Sequence, residues 1–300
     1  MADAAKIKLL RQDRRFYFCV NVVLTLLVIT IIYPIILVIS SSFSAPSAVY
    51  AGRVFLWPVD LSVEGYKAVF KNRQIVSGAL NSVFYTGVGT LVNLVMTTLA
   101  AYPLARRTLP GRSIIMKLFV FTMFFSGGMI PSFLIVKMLG LYNSRAAIIL
   151  PTLISTWNMI IMKTALQAVP DALEESARLD GANDLVVLFQ ILVPIVKATI
   201  AVIALYYIVG EWNSWFNAMI YLRDNSKRPL QLFLREILIV ATFNQENASN
   251  ADAITMAEQL RIASIIKYAT MIVATLPVIA AYPFIQRYFV KGVMIGAVKG

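Results

Sequence analysis

Long apolar runs, each about the length of a membrane-crossing helix, dominate the chain. A hydrocarbon core is crossed by roughly 20 apolar residues, and six such runs occur, at residues 16–42, 76–105, 114–136, 146–165, 198–222 and 265–290. The pattern predicts an all-α, polytopic membrane protein with six transmembrane helices within residues 16–290. Six crossings would place the loops 43–75, 137–145 and 223–264 on one face, and the loops 106–113 and 166–197 on the other.

Basic residues near the ends of these runs indicate which face is cytoplasmic. Five Lys or Arg residues lie between Lys6 and Arg15, and four more lie between Arg106 and Lys117. Positive charge close to a span is retained in the cytoplasm, and the first span usually dominates. We therefore expect both termini in the cytoplasm, with residues 1–15 as a cytoplasmic segment. The first run is too long for the apolar part of a secretory signal, which has about 7–15 residues.

The composition supports a membrane protein and excludes several other classes. Of 300 residues, 59% are apolar and 14% are charged, and the mean hydropathy is +0.75. The chain has no His and one Cys, which argues against a disulfide framework, a zinc site and imidazole catalysis, so no metal is expected. The net charge of +12 lies at helix ends and loops, so orientation explains it. We expect membrane lipid as a partner, and no nucleic acid.

Helix-breaking residues recur inside the predicted spans. They are Pro34, Pro151, Pro277, Pro283 and the cluster Ser126-Gly127-Gly128 with Pro131. An ordinary kink is the more common role of a single proline, since neighbouring helices can satisfy the freed backbone groups. For the 126–131 cluster, a kink and a functional break both remain open.

Residues 166–197 form the most informative segment. Pro170 suits the first turn of a helix, and the acidic residues after it favour the positive end of the helix dipole. Gly181 can end that helix in a left-handed conformation, and Asn183 or Asp184 can cap a second, amphipathic helix through Phe189 to Pro194. The pattern predicts a protruding pair of helices suited to a groove in another protein.

The same segment carries a motif. Glu175-Ser176-Ala177, Gly181 and Ile191-x-Val193-Pro194 follow the spacing E-A-A-x3-G-x9-I-x-L-P. This resembles the EAA loop of ABC importer permeases, and Val169-Pro170 with Asp180-Gly181-Ala182 resembles the maltose-type carbohydrate subgroup, in particular its second permease. Residues 125–132 are similar to the subgroup that handles longer, acidic oligosaccharides such as alginate. Trp212-Asn213 and the C-terminal residues 286–300 extend the resemblance over nearly the whole chain.

The resemblance implies an ABC importer type I permease fold and a set of partners. The segment 166–197 would be a coupling loop on a cytoplasmic ATPase subunit, through Glu174, Glu175, Ser176, Ala177, Asp180, Gly181, Ala182 and Pro194. The cytoplasmic tail 291–300 would contact the ATPase through Lys291, Gly292, Gly296 and Lys299. The complex would contain a second permease subunit, two ATPase subunits and an extracytoplasmic sugar-binding protein docked on the loops 43–75 and 223–264, in the bacterial cytoplasmic (inner) membrane. The implied substrate is an oligosaccharide taken up by alternating access.

No nucleotide-binding motif G-x-x-x-x-G-K-[ST] occurs in the chain. We therefore expect a transport subunit that is not an enzyme and binds no cofactor, with ATP and Mg on the partner ATPase subunits.

The fifth predicted span carries candidate substrate-pathway residues. Aromatic faces pack on sugar C–H surfaces and amides bind hydroxyls, and this span contains Glu211, Trp212, Asn213, Trp215 and Asn217. Asn213 and Asn217 are four residues apart and are expected on one helix face. Alternatively, the tryptophans belong to an interfacial aromatic belt and Glu211 pairs with a basic residue. Weaker candidates are Asn81, Asn93 and Asn158.

Two other classes are less well supported by the residues. A proton- or ion-coupled secondary sugar transporter needs ionisable relay groups within its spans, and only Glu211 qualifies. A membrane-embedded enzyme needs a nucleophile with a base or a metal cluster, and the spans hold no His and no acidic pair.

Overall fold

The computed structural model describes residues 11–246 and 265–280, and within these ranges the chain is helical. The predicted all-α class is confirmed for this part of the chain, where one isolated antiparallel bridge joins Ser44 and Leu61. The tail residues Lys291, Gly292, Gly296 and Lys299 lie outside the described residues. The helices are α1 (Arg11–Ser42), α2 (Pro46–Tyr50), α3 (Glu64–Lys71), α4 (Arg73–Ala105), α5 (Arg112–Phe124), α6 (Met129–Met138), α7 (Ala146–Ile149), α8 (Thr156–Gln167), α9 (Asp171–Leu179), α10 (Asp184–Val186), α11 (Val193–Ile195), α12 (Lys197–Trp212), α13 (Phe216–Tyr221), α14 (Leu230–Glu246) and α15 (Ile265–Ala280).

Among the described residues, two helices are long and apolar enough to cross a membrane alone, namely α1 over Phe16–Ser42 and α4. Three further segments qualify only if a bent pair counts as one span: α5 with α6, bent by 117°, Ala146–Thr152 with α8, bent by 52°, and Asp184–Ile195 with α12, bent by 87°. The continuous helices expected at 114–136 and 146–165 are therefore broken. The expected span 198–222 is also interrupted, because α12 ends at Trp212 and α13 begins at Phe216.

The sharpest of these breaks follows from glycine conformation. Gly128 has φ +84°, a backbone conformation that residues with a side chain rarely adopt. Its N–H donates to Ser126 Oγ at 3.3 Å. Ser132 Oγ, one turn further on, donates to the Gly128 carbonyl at 2.8 Å. A turn of 117° is far larger than an ordinary proline kink, so the 126–131 cluster separates two helices rather than bending one.

The described residues belong to two compact units. The first comprises residues up to Val69 with Val240–Ile272. In it, the apolar side chains of α1 are exposed along the span, as suits a helix that faces lipid. Serine hydroxyls fold the loop that follows, since Ser40 Oγ donates to the Leu56 carbonyl at 2.7 Å and Ser44 Oγ accepts from the Val59 N–H at 3.0 Å.

The second unit comprises Phe70–Ile239 and the residues from Val273 onward, and α4 is its central helix. Helices α8 and α12 pack against α4 around buried side chains that include Tyr102, Met159 and Ile203. Between α10 and α11 the chain forms a π-helical segment, Val187–Leu192, whose Leu188 and Leu192 are fully buried in the same core. The amphipathic half of the 166–197 segment is thus packed on the core, so the expectation that both helices of this segment protrude is wrong for the second one.

Hydrogen bonds tie the other end of α4 to the loop before α14. Asn81 Nδ2 donates to the Ser226 and Arg228 carbonyls at 2.7 and 3.1 Å, and Tyr85 OH donates to the Lys227 carbonyl at 2.7 Å. Asn81, a weaker candidate for the substrate pathway, therefore holds backbone carbonyls.

Candidate functional site

The segment 166–197 adopts the predicted helix–glycine–helix form. Gly181 has φ +84° after α9, and Asn183 Oδ1 accepts from the Val186 N–H at 2.9 Å as the cap of the second helix. Pro170 lies one residue before α9, at its N-cap, rather than in the first turn as expected, and its ψ of 132° is extended. The left-handed glycine turn and the Asn183 cap are confirmed.

The two glutamates of α9 have different environments. Glu174 is buried and forms an ion pair with Arg106, the residue that follows α4. Glu175 is exposed, together with Ser176, Asp180, Gly181 and Pro194, whereas Ala177 is buried and Ala182 is partly buried. Five of the eight predicted coupling residues are therefore accessible to a partner protein.

From the sequence, Arg106 was expected only to help orient the chain in the membrane. Its guanidinium lies 4.9 Å above the Tyr102 ring, and its Nη1 is 4.0 Å from Asp171 Oδ1. Gln167 Nε2 adds a bond to the Ala105 carbonyl at 3.3 Å. These contacts fix α9 to the end of α4.

A second, exposed ion pair closes the turn between α9 and α10. Arg178 pairs with Asp184, and this hydrogen bond raises the pKa of the Arg178 guanidinium above its ordinary value. Beside it, Leu173, Leu179 and Leu185 are exposed, Leu179 by 89%. Exposed leucines next to exposed acidic groups form a surface that suits a protein partner.

At membrane depth, Glu211 is buried between α4 and the break before α8. Its Oε1 accepts from Asn93 Nδ2 at 3.0 Å and lies 3.2 Å from Thr152 Oγ1. Gly89 makes room for it, because a Cβ there would lie 3.3 Å from Glu211 Cδ. Among the described residues, the ion pairs do not include Glu211, so its expected alternative partner, an Arg or Lys, is replaced by these polar groups.

Tyr207, one turn before Glu211, holds the break between Ala146–Thr152 and α8. Its hydroxyl lies 2.6 Å from Thr97 Oγ1 on α4 and accepts from the Ser155 N–H at 3.0 Å. A backbone N–H freed by the break is thereby satisfied inside the protein, as membrane depth requires.

The other candidate residues of the fifth predicted span lie in different environments. Trp212 is buried, and its Nε1 donates to the Ala274 carbonyl at 2.8 Å, so it is a packing residue and not part of an interfacial belt. Trp215 lies under the Arg235 guanidinium, 4.0 Å from its ring centre. Asn213 is exposed at the end of α12, and Asn217 is on α13, so the expectation that they share one helix face is wrong.

A cleft of about 420 Å³ lies on the Glu211 face of α12, which we call the Glu211 cleft. It is lined by residues of α8, α12 and their flanking segments, among them Trp157, Asn158, Tyr206, Gly210, Glu211 and Ser214. Only Glu211 and Asn158 were sequence candidates. The sequence could have indicated Tyr206, Gly210 and Ser214 through their spacing, because residues four positions apart along α12 and its continuation lie on one helix face.

The bent apolar helices and the polar cleft between them are features of a helical membrane protein. A scan against protein-family models gives no match. The chain is 42% identical over 289 residues, 96% of its length and 100% of the relative, to the polygalacturonan/rhamnogalacturonan transport system permease protein YtcP of Bacillus subtilis. It is 39% identical over 90% of both chains to the protein LplC of the same organism.

Among solved structures, the chain matches one from a bacterial ABC transporter involved in the import of the acidic polysaccharide alginate. The TM-score is 0.84 at 33% identity, with 94% of this chain and 99% of that chain covered. The chain belongs to the permease family of carbohydrate ABC importers. The resemblance seen in the sequence is thereby confirmed, and these relatives give no support to a secondary transporter.

Proposed function

We propose that this chain is one of two permease subunits of an ATP-driven importer that moves oligosaccharides into the cytoplasm by alternating access. It crosses the bacterial cytoplasmic membrane six times with both termini inside, and it binds no cofactor itself. Two partner ATPase subunits bind ATP and Mg and hydrolyse the ATP. The observation that carries the proposal is the surface of α9, where Glu175 and Leu179 are exposed while Glu174 is bound internally to Arg106.

The coupling contact to the ATPase involves both charge and apolar area. Glu175 and Asp180 offer carboxylates, and Leu173 and Leu179 offer apolar surface on the same short helix. The tail 291–300 provides a second contact through Lys291, Gly292, Gly296 and Lys299, because small glycines let the backbone approach a partner closely.

The names of the relatives guide the choice of substrate. One is a polygalacturonan/rhamnogalacturonan transport system permease protein, and the solved structure is of a transporter involved in the import of alginate. All three polysaccharides contain uronate sugars. We propose a uronate-containing oligosaccharide, delivered by an extracytoplasmic sugar-binding protein. The loop after α1 suits such docking, because Trp57 is 80% and Leu61 is 81% exposed there.

The test is purification of the tagged chain after co-expression with the proposed second permease and ATPase subunits. A second permease and an ATPase should copurify, and Glu175→Lys should strip the ATPase from the complex. Glu64→Lys is the matched control, because Glu64 is an exposed acidic residue on α3, outside the coupling segment. Retention of the ATPase in the Glu175→Lys complex at the level of the Glu64→Lys control would contradict the proposed contact.

A further inference from the structure

Two concave surfaces flank α12, and they differ in chemistry. One is an apolar groove of about 440 Å³ whose lining includes Gly87, Leu91, Trp212 and Pro277. The other is the Glu211 cleft, which contains a carboxyl group, an amide and several hydroxyls. Lipid tails can fill the first, whereas polar groups at membrane depth are stable only beside water, protein or a polar ligand. The Glu211 cleft therefore faces an aqueous path or a partner subunit.

The groups of the Glu211 cleft match those that bind a sugar ring. Trp157 is 60% exposed and Tyr206 is also exposed, so aromatic faces are available for stacking on sugar C–H surfaces. Asn158 and Ser214 add amide and hydroxyl groups that can bind sugar hydroxyls. The cleft volume lies within the range of roughly 300–1,000 Å³ typical of small-ligand sites.

The charge of the Glu211 cleft decides which sugars fit. Asn93 donates to Glu211 Oε1 and Thr152 Oγ1 lies within hydrogen-bond distance of the same oxygen, which is an acceptor in either protonation state of the carboxyl group. A uronate carboxylate that enters a partly dehydrated cleft needs a cation to offset its lost hydration. Within the described residues, the cleft lining contains no Lys or Arg that would supply this cation.

We propose that the Glu211 cleft is a transport subsite for an uncharged sugar residue and that it disfavours a uronate residue. The inference rests on the proposed import function and refines its substrate. An oligosaccharide with alternating neutral and acidic residues suits this cleft better than a purely acidic one.

The first experiment fills the cleft without disturbing the chain. A Cβ at Gly210 would meet no heavy atom within 4 Å, and the same holds for Gly87 in the apolar groove. Gly210→Leu and Gly87→Leu are therefore matched substitutions of helical glycines with open space beside them. In the full complex in proteoliposomes, Gly210→Leu should lower oligosaccharide uptake at least about tenfold, whereas Gly87→Leu should retain near wild-type uptake.

Three results of this experiment would overturn the subsite. Equal uptake in the two variants would place the cleft away from the path, and an equal loss in both would show a general packing effect. Failure of the Gly210→Leu chain alone to bind the second permease, seen by size-exclusion chromatography, would show that the cleft is a subunit interface. A wild-type complex that imports no oligosaccharide would instead overturn the proposed function.

The second experiment isolates charge. Labelled oligogalacturonides of one length are compared in methyl-esterified and free-acid form, with the same binding protein throughout. Glu211→Gln combined with Ser214→Lys places an unpaired cation in the cleft lining, and Glu211→Gln alone is its matched control. The double substitution should raise the ratio of free-acid to esterified uptake about tenfold over Glu211→Gln alone, because the cation pairs with the uronate carboxylate. An unchanged ratio in an assembled double-substituted complex would overturn the charge selection.

Discussion

The ion pair between Arg106 and Glu174 offers a sharp test of how α9 is held. Arg106→Met keeps much of the side-chain volume and removes the charge, which leaves the buried Glu174 carboxylate without its cation. Loss of one partner of a buried ion pair costs about 3–5 kcal/mol. Because the Arg106 side chain is 16% exposed and that of Glu174 is 9% exposed, water offsets part of the loss. We therefore expect Arg106→Met to weaken the packing of α9 on α4 by about 2–3 kcal/mol.

The assay is hydrogen exchange of the α9 backbone in the full complex, followed by mass spectrometry of the peptide that covers 171–179. A cost of about 2–3 kcal/mol corresponds to exchange that is roughly 30- to 150-fold faster when local opening limits the rate. Arg107→Met is the matched control, since Arg107 carries the same charge, is exposed and follows Arg106 directly. It should change α9 exchange by less than about threefold.

A double substitution separates the ion pair from other roles of Arg106. Arg106→Met combined with Glu174→Leu leaves no unpaired buried charge, so α9 protection should recover most of its wild-type value. If Arg106→Met left α9 exchange at the level of Arg107→Met, or if the double substitution exchanged as fast as Arg106→Met, the pair would not anchor this helix.

Three further outcomes are expected. Gly181→Val should leave the chain inserted but lower sugar-stimulated ATP hydrolysis several-fold, because a β-branched residue is strained at φ +84°, and wild-type coupling would contradict it. Deletion of 291–300 should weaken assembly with the ATPase in size-exclusion chromatography, while wild-type assembly and transport would make the tail a free terminus. Hydrogen bonding from Ser226 lowers the pKa of the Asp224 carboxyl below its ordinary value of 3.8. The ionised carboxylate therefore stabilises the 224–227 turn above pH 3.8, and this stabilisation is lost as pH falls through the lower folded-state pKa. The amide of Ser226 should therefore lose protection on acidification in wild type and not in Asp224→Asn, and identical pH profiles of exchange would contradict this.

Local features of this chain were readable from sequence because they depend on neighbouring residues alone. The apolar length of α1 and α4 follows from the thickness of a bilayer, and Gly181 and Asn183 form their turn and cap through backbone groups a few positions away. The family motif in 175–194 likewise depends on spacing along the chain.

Breaks within spans were harder to place. The sequence marked Gly127, Gly128 and Pro131, but a kink and a separation of two helices use the same residues, and only neighbouring packing decides between them. The end of α12 at Trp212 had no proline beside it, and Gly210, two residues earlier, lies within the helix, so the expected pairing of Asn213 with Asn217 on one face failed.

Patterns along the chain therefore predicted the membrane class, the helix-and-turn form of residues 166–197 and the family. Only the tertiary structure showed that Glu174 is internal and Glu175 is free, since that difference depends on Arg106, which lies 68 positions away at the end of another helix. It also brought Glu211 to Asn93 and Thr152, 118 and 59 residues away, and placed Gly210 at an open cleft. The physical reason is that charge, hydrogen bonding and free space at a site are set by residues distant along the chain, which a local pattern does not encode.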